Sequence, residues 1–160
     1  MAGTAARPGI ETEITREKLV KFLNEGLGRE YQAIISYVVY SQVLKGAEYR
    51  SIAAELEKHA QQELNHALII SKQIDYLGGM PTVHPKDVRA SENPKEMLRF
   101  DLENETETIR NYRKRISQCE KLEEYAIAEH IREIVTQEQE HQIDLATALG
   151  IEIPHPEKDG

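Results

Sequence analysis

The chain of 160 residues has no tryptophan, two phenylalanines and one cysteine. A lone cysteine, Cys119, excludes an internal disulfide framework and a cysteine-based zinc site. It reads as a half-buried helix residue. Glycine and proline are sparse, at 9 and 6 residues, which suits long amphipathic helices. There is no Lys/Arg-rich tail, and the formal net charge is -8. Binding to nucleic-acid phosphates is therefore disfavoured. No apolar run approaches the ~18 residues of a membrane span, so no membrane segment is expected. The opening MAGTAARPGIETEITREK lacks an apolar h-region, so it does not read as a signal peptide. A cytoplasmic protein is the default expectation.

What is present is helical periodicity over a length that suits one domain with a sizeable core. Residues 1–14 read as a flexible arm, 15–150 as a four-helix bundle and 151–160 as a Pro-bearing tail without a fifth helix. The first helix starts at Thr15, carries Leu19, Leu23, Leu27, Ile34, Ile35, Val38, Val39 and Leu44 as its apolar positions, and ends at Lys45-Gly46. Gly26 and Gly28 lower its propensity, by roughly 1 kcal/mol each against Ala. The second runs from about 48 to 77, with Ile52, Leu56, Leu64, Ala67, Leu68 and Tyr76 on its apolar side. Residues 78–92 form a long crossover. Asn93, Pro94 and Glu96 make an N-cap, first turn and capping-box acid for the third helix. A short break near 119–122 leads to the fourth, with Tyr125, Ile127, Ile131, Ile134, Val135, Leu145 and Leu149 inward. The expected architecture is all-α, an antiparallel four-helix bundle of two hairpins.

The chemistry-bearing pattern is duplicated. Glu63 and His66 lie three apart, as do Glu138 and His141. A lone glutamate precedes each pair by the same 33 residues, Glu30 before Glu63 and Glu105 before Glu138. Tyr37 and Tyr112 each follow a lone glutamate by seven. Residues three apart share a helix face, about 5–6 Å apart at Cβ. An E-x-x-H pair can thus point a carboxylate and an imidazole at one ion, and two facing pairs plus the lone glutamates give the ligand set of a two-iron carboxylate bundle. Four buried carboxylates cost many kcal/mol or take up protons unless cations balance them. One histidine per metal among oxygens suits Fe(II) or Mn(II), and zinc can compete.

A single E-x-x-H in so Glu-rich a chain carries little weight. A third one, Glu152 and His155, stands beside two prolines and reads as chance. The matched offsets give the other two their meaning. Tyr37 reads as a hydrogen-bond partner of a ligand, against an aromatic core position, and Tyr112 is balanced between those two. Asp101 could orient a ligand histidine or be a solvated acid. His59 and His130 are off the ligand spacing and read as solvent-facing or hydrogen-bonded.

With this ligand set, the stretch EMLRFDLENE and the G-M-P after the second helix, residues 15–149 resemble the ferritin-like superfamily, most closely bacterioferritin. The resemblance implies that Glu63 and Glu138 bridge two irons, that Glu30 and Glu105 are terminal carboxylates, and that His66 and His141 bind one iron each, with Tyr37 beside the centre. Three positions depart from that pattern. Leu64 stands where bacterioferritin has its haem-ligating methionine, which argues against haem. Lys58 and Gln62 replace the His and Asp of an inner-surface iron site. The tail does not resemble a fifth helix, which opens a smaller shell such as a Dps-like dodecamer beside a 24-subunit cage.

The implied reaction is oxidation of Fe(II) by O2 or H2O2 in a homo-oligomer, for iron storage and detoxification and for oxidative-stress protection. Two other readings stand beside it. One is a non-storage di-iron or Mn/Fe oxidase or peroxidase acting as a small oligomer. The other is a structural or interaction bundle with a vestigial site.

Overall fold

In the computed structural model, which describes residues 13–155, four long helices form the expected all-α bundle. They are α1 (Arg16–Val43), α2 (Arg50–Tyr76), α3 (Pro94–Lys121) and α4 (Tyr125–Leu149), with a short 3-10 turn, Ala47–Tyr49, before α2. Thr15 Oγ1 accepts from Lys18 N at 3.2 Å and Asn93 Oδ1 from Glu96 N at 3.1 Å, so both side chains occupy orphan donors at their helix starts. Gly150 ends α4 in the left-handed conformation, φ 67°. Among the described residues there is no fifth helix. Residues 151–155 are irregular, and Gln142 Nε2 holds them through Pro154 O at 2.6 Å. Glu152 and His155 lie there, exposed and off any helix. Most of the expected N-terminal arm, 1–14, lies outside the described residues.

The crossover explains one of the two costly glycines, and α3 the other. The crossover's residues are held by α1 at one-turn intervals: Thr82 N donates to Asn24 Oδ1 at 2.7 Å, Lys86 N to Gly28 O at 2.9 Å, and Gln32 Nε2 to Asp87 O at 2.6 Å. Tyr40 Oη donates to Arg89 O. The segment therefore runs the length of α1 and delivers α3 parallel to α2. A Cβ on Gly28 would stand 3.1 Å from His84 O, so the close approach of the crossover needs glycine there. A Cβ on Gly26 would stand 3.3 Å from the Tyr112 ring.

The apolar core comes in two parts. One contains Leu19, Leu23, Leu27, Ile70, Ile74, Ile127, Ile131 and Ile134; the other contains Tyr37, Tyr40, Leu56, Met97, Leu98, Leu102 and Leu145. Cys119 lies wholly inside the first, not half-buried as its sequence context suggested. Several residues expected inward face out. Ile35, Val38, Val39, Leu64, Leu68, Tyr76 and Tyr125 are exposed. Helical spacing groups apolar residues on a stripe but does not say which stripe meets a partner inside one chain. On α2 the inward stripe is Ile52, Leu56, Ala67, Ile70 and Ile74.

Candidate metal centre

The bundle brings all six expected residues together. Glu30 comes from α1, Glu63 and His66 from α2, Glu105 from α3, and Glu138 and His141 from α4. Each is at most 3% exposed. They fall into two overlapping groups, Glu30–Glu63–His66–Glu138 and Glu63–Glu105–Glu138–His141, with one ligand atom from each member within 4.8 Å of the others. Glu63 and Glu138 belong to both groups. That is the placement of carboxylates able to bridge two ions.

The distances repeat across the pseudo-two-fold. His66 Nδ1 lies 2.9 Å from Glu63 Oε2, 3.2 Å from Glu138 Oε1 and 3.6 Å from Glu30 Oε2. His141 Nδ1 lies 3.0 Å from Glu63 Oε1, 3.2 Å from Glu138 Oε2 and 3.7 Å from Glu105 Oε1. Yet His141 Nδ1, Glu63 Oε1 and both Glu138 oxygens make no well-directed hydrogen bond. These atoms converge without pairing, as donors aimed at shared points do. The donor set, four carboxylates and two imidazoles, fits two divalent cations of the Fe(II) or Mn(II) kind.

Two further layers exchange partners between hairpins. Tyr37 Oη of α1 donates to Glu105 of α3, and Tyr112 Oη of α3 donates to Glu30 of α1. Both tyrosines thus act on the lone glutamates, and the balance at Tyr112 falls to hydrogen bonding. Gln137 Oε1 lies 2.5 Å from His66 Nε2, and Gln62 Oε1 lies 2.7 Å from His141 Nε2. An amide oxygen can only accept, so each Nε2 carries a proton, and Nδ1 is the nitrogen that faces the carboxylates and can ligate a cation once it gives up its own proton. The sequence reading missed this pair as partners of the histidines. The signal was available: a glutamine directly precedes both E-x-x-H glutamates.

Electrostatics follow from four buried acids at one place. Burial, then the carboxylates of Glu138, Glu30 and Glu105, pushes Glu63 well above its usual range. Burial and then Glu138 raise Glu105 to about 7. Burial works against the charged histidines too. The neighbouring carboxylates outweigh it, lifting His141 to about 10 and His66 further still. Burial opposes Glu138 ionisation as well, but His141 and His66 hold its carboxyl at about 2. Such a cluster exchanges protons for cations.

Asp101 matches neither expectation. It is buried, accepts from Ser36 Oγ at 2.9 Å, and leaves Oδ2 without a partner. His59 is also buried, so of its two readings the hydrogen-bonded one holds: Nε2 lies 3.0 Å from Asp144 Oδ2. Its ring stacks on His141, with centroids 4.0 Å apart. His130 is half-buried on α4. Burial pushes the Cys119 thiol up to about 11, which keeps it protonated.

A ferritin-like domain model matches residues 20–152, most of the chain. The chain belongs to the ferritin-like family. Bacterioferritin of Brucella melitensis is 28% identical over 144 residues, 84% of this chain and 88% of that protein. Bacterioferritin of Rhodobacter capsulatus is 27% identical over 135 residues, 84% of each chain. A solved structure of a ferritin-like, diiron-carboxylate protein from Bacillus anthracis superposes with a TM-score of 0.81 at 31% identity, covering 84% of this chain and 96% of that one. In this bundle the polar layer lies between the two apolar clusters. No described helix is long and apolar enough to cross a membrane.

Proposed function

We propose that this ferritin-like chain is a ferroxidase. Glu30, Glu63, His66 and Glu138 hold one Fe(II) as substrate, and Glu105, Glu63, Glu138 and His141 hold the other. The observation that carries this reading is the sharing of Glu63 and Glu138 between two convergent, buried donor groups. The bacterioferritin relatives and the diiron-carboxylate neighbour support it. Each Fe(II) gives up one electron. Dioxygen taking both with two protons leaves hydrogen peroxide; peroxide taking both with two protons leaves two waters. Carboxylates bind the more highly charged product more strongly, which favours the change of oxidation state. Gln62 and Gln137 keep the imidazoles in the ligating tautomer. Tyr37 and Tyr112 orient Glu105 and Glu30, and each phenol lies within reach as a proton carrier. Mn or Zn can occupy the same donors. Leu64, exposed on α2, offers no axial ligand to haem.

The exposed apolar side chains of the first hairpin, Ile35, Val38, Val39, Leu64 and Leu68, fit self-assembly into a homo-oligomer. A cytoplasmic setting fits the single, buried thiol. The direct test is aerobic Fe(II) oxidation followed by absorbance. Glu63→Ala and His141→Ala should abolish the fast phase, and unchanged rates would refute the reading. Native mass after iron loading separates the storage role from that of a small-oligomer oxidase: a large shell carrying mineral supports storage, and an iron-poor dimer supports the oxidase.

A further inference from the structure

Outside the centre, among the described residues, one other group gathers metal-ligating side chains: Glu55, His59 and Asp144, with one ligand atom from each within 4.8 Å of the others. Glu55 and Asp144 are part-exposed and line an open cleft of about 220 Å³ between α2 and α4. His59 lies behind them on α2, 2% exposed, and turns Nε2 to Asp144 Oδ2 at 3.0 Å. A buried imidazole grouped with two part-exposed carboxylates calls for an explanation. Duplication does not provide one. The hairpins correspond at a spacing of 75 residues, as in 30 to 105, 63 to 138 and 66 to 141. At that spacing the counterparts of Glu55, His59 and Asp144 are His130, Ile134 and Ile69. Ile134 belongs to the apolar core and Ile69 packs against it. The polar cluster is thus built at one end only.

We infer that Glu55, His59 and Asp144 bind one divalent cation of the Fe(II) class, at an outer site separate from the inner centre. Two carboxylates and an imidazole suit such an ion. The two sites are neighbours: the His59 ring stacks on that of His141, with centroids 4.0 Å apart, and meets the edge of Tyr37 at a centroid distance of 5.2 Å. Lys58 Nζ contacts Glu55 Oε1 at 2.9 Å on the surface, which leaves the other oxygen free. Binding at the outer site does not rest on the ferroxidase reading.

The test is anaerobic Co(II) titration of the full chain, with bound metal counted by equilibrium dialysis and coordination followed by visible absorption. Wild type should saturate at three Co(II) per chain. Asp144→Asn and Glu55→Gln, both at part-exposed positions that spare the fold, should each saturate at two. Glu63→Ala should lose the inner ions and keep the outer one. Equal saturation of wild type, Asp144→Asn and Glu55→Gln overturns the outer site whatever the inner centre does. One ion in both wild type and Glu63→Ala, lost in Asp144→Asn, supports the outer site and overturns the inner centre instead.

Discussion

Viewed from the metal centre, α1–α2 and α3–α4 present the same side chains in the same places. Glu30 answers Glu105, Tyr37 answers Tyr112, Gln62 answers Gln137, and the E-x-x-H pairs face each other. Viewed from solvent, they differ. The first hairpin exposes Ile35, Val38, Val39, Val43, Leu64, Leu68 and Tyr76, whereas the second exposes Tyr125 and Ile143. The surroundings of the inner layer differ as well. Asp101, Ser36 and His59 crowd the Glu105–His141 side, where their counterparts are Gly26, Asn111 and Ile134. The repeat keeps the six candidate ligands and their hydrogen-bond partners and varies the rest, so the two donor groups are alike in residues and unlike in environment.

The most damaging way to probe the shared layer is to remove a bridging candidate. Glu63→Ala should cut Fe(II) oxidation by more than the ~10–100-fold that supporting residues cost, because both ions lose a ligand. A loss confined to half the bound metal would break the symmetry of the inner layer. The outer difference is tested next. Val38→Glu with Leu64→Glu should abolish self-association with helix content unchanged, while Tyr125→Glu should leave the oligomer intact, both by native mass. Equal effects would remove the asymmetry of the outer faces.

Smaller effects sharpen the comparison. Gln62→Ala and Gln137→Ala should each weaken cation binding by about 10–100-fold by freeing one histidine's tautomer, and similar losses would mark the layer as symmetric. Acidity should separate the two sides. Glu105, raised to about 7 by burial and Glu138, must lose its proton when a cation arrives; Glu30 is held below its usual value by Glu63 and His66, whose effect outweighs its burial. Proton release on binding makes affinity rise with pH. Metal affinity at the Glu105–His141 side should therefore fall more steeply from pH 8 to 6, measured by calorimetry on Glu30→Gln and Glu105→Gln proteins. The hairpin turns give the mildest contrast. Gly46 takes φ 116° in the first, but Glu123 takes φ 59° in the second. A left-handed L-residue costs roughly 1–2 kcal/mol, of which glycine's greater chain entropy returns part. Glu123→Gly should raise stability by about 0.5–1 kcal/mol, read from urea unfolding, and Gly46→Glu should lower it.

Much of this was legible in the chain. Ligation needs fixed spacings on a helix face, so Glu30, Glu63, His66, Glu105, Glu138 and His141 could be read together, and Thr15, Asn93 and Gly150 marked helix ends through their own side-chain or backbone chemistry. His59 could not be read. Its importance depends on stacking against His141, a contact between helices 82 residues apart in number, from 59 to 141. Leu64 and Leu68 were misplaced because an apolar stripe meets either a neighbouring helix or another surface, and periodicity is the same for both. Gly26 and Gly28 looked like weaknesses in α1 until the ring and the crossover packed against them gave the reason.

Iron-edge anomalous diffraction from crystals loaded anaerobically with Fe(II) tests the two-ion centre most directly. The arrangement predicts two inner peaks between Glu63 and Glu138, one beside His66 and Glu30 and the other beside His141 and Glu105. A single inner peak, or none with the helices in place, would contradict it.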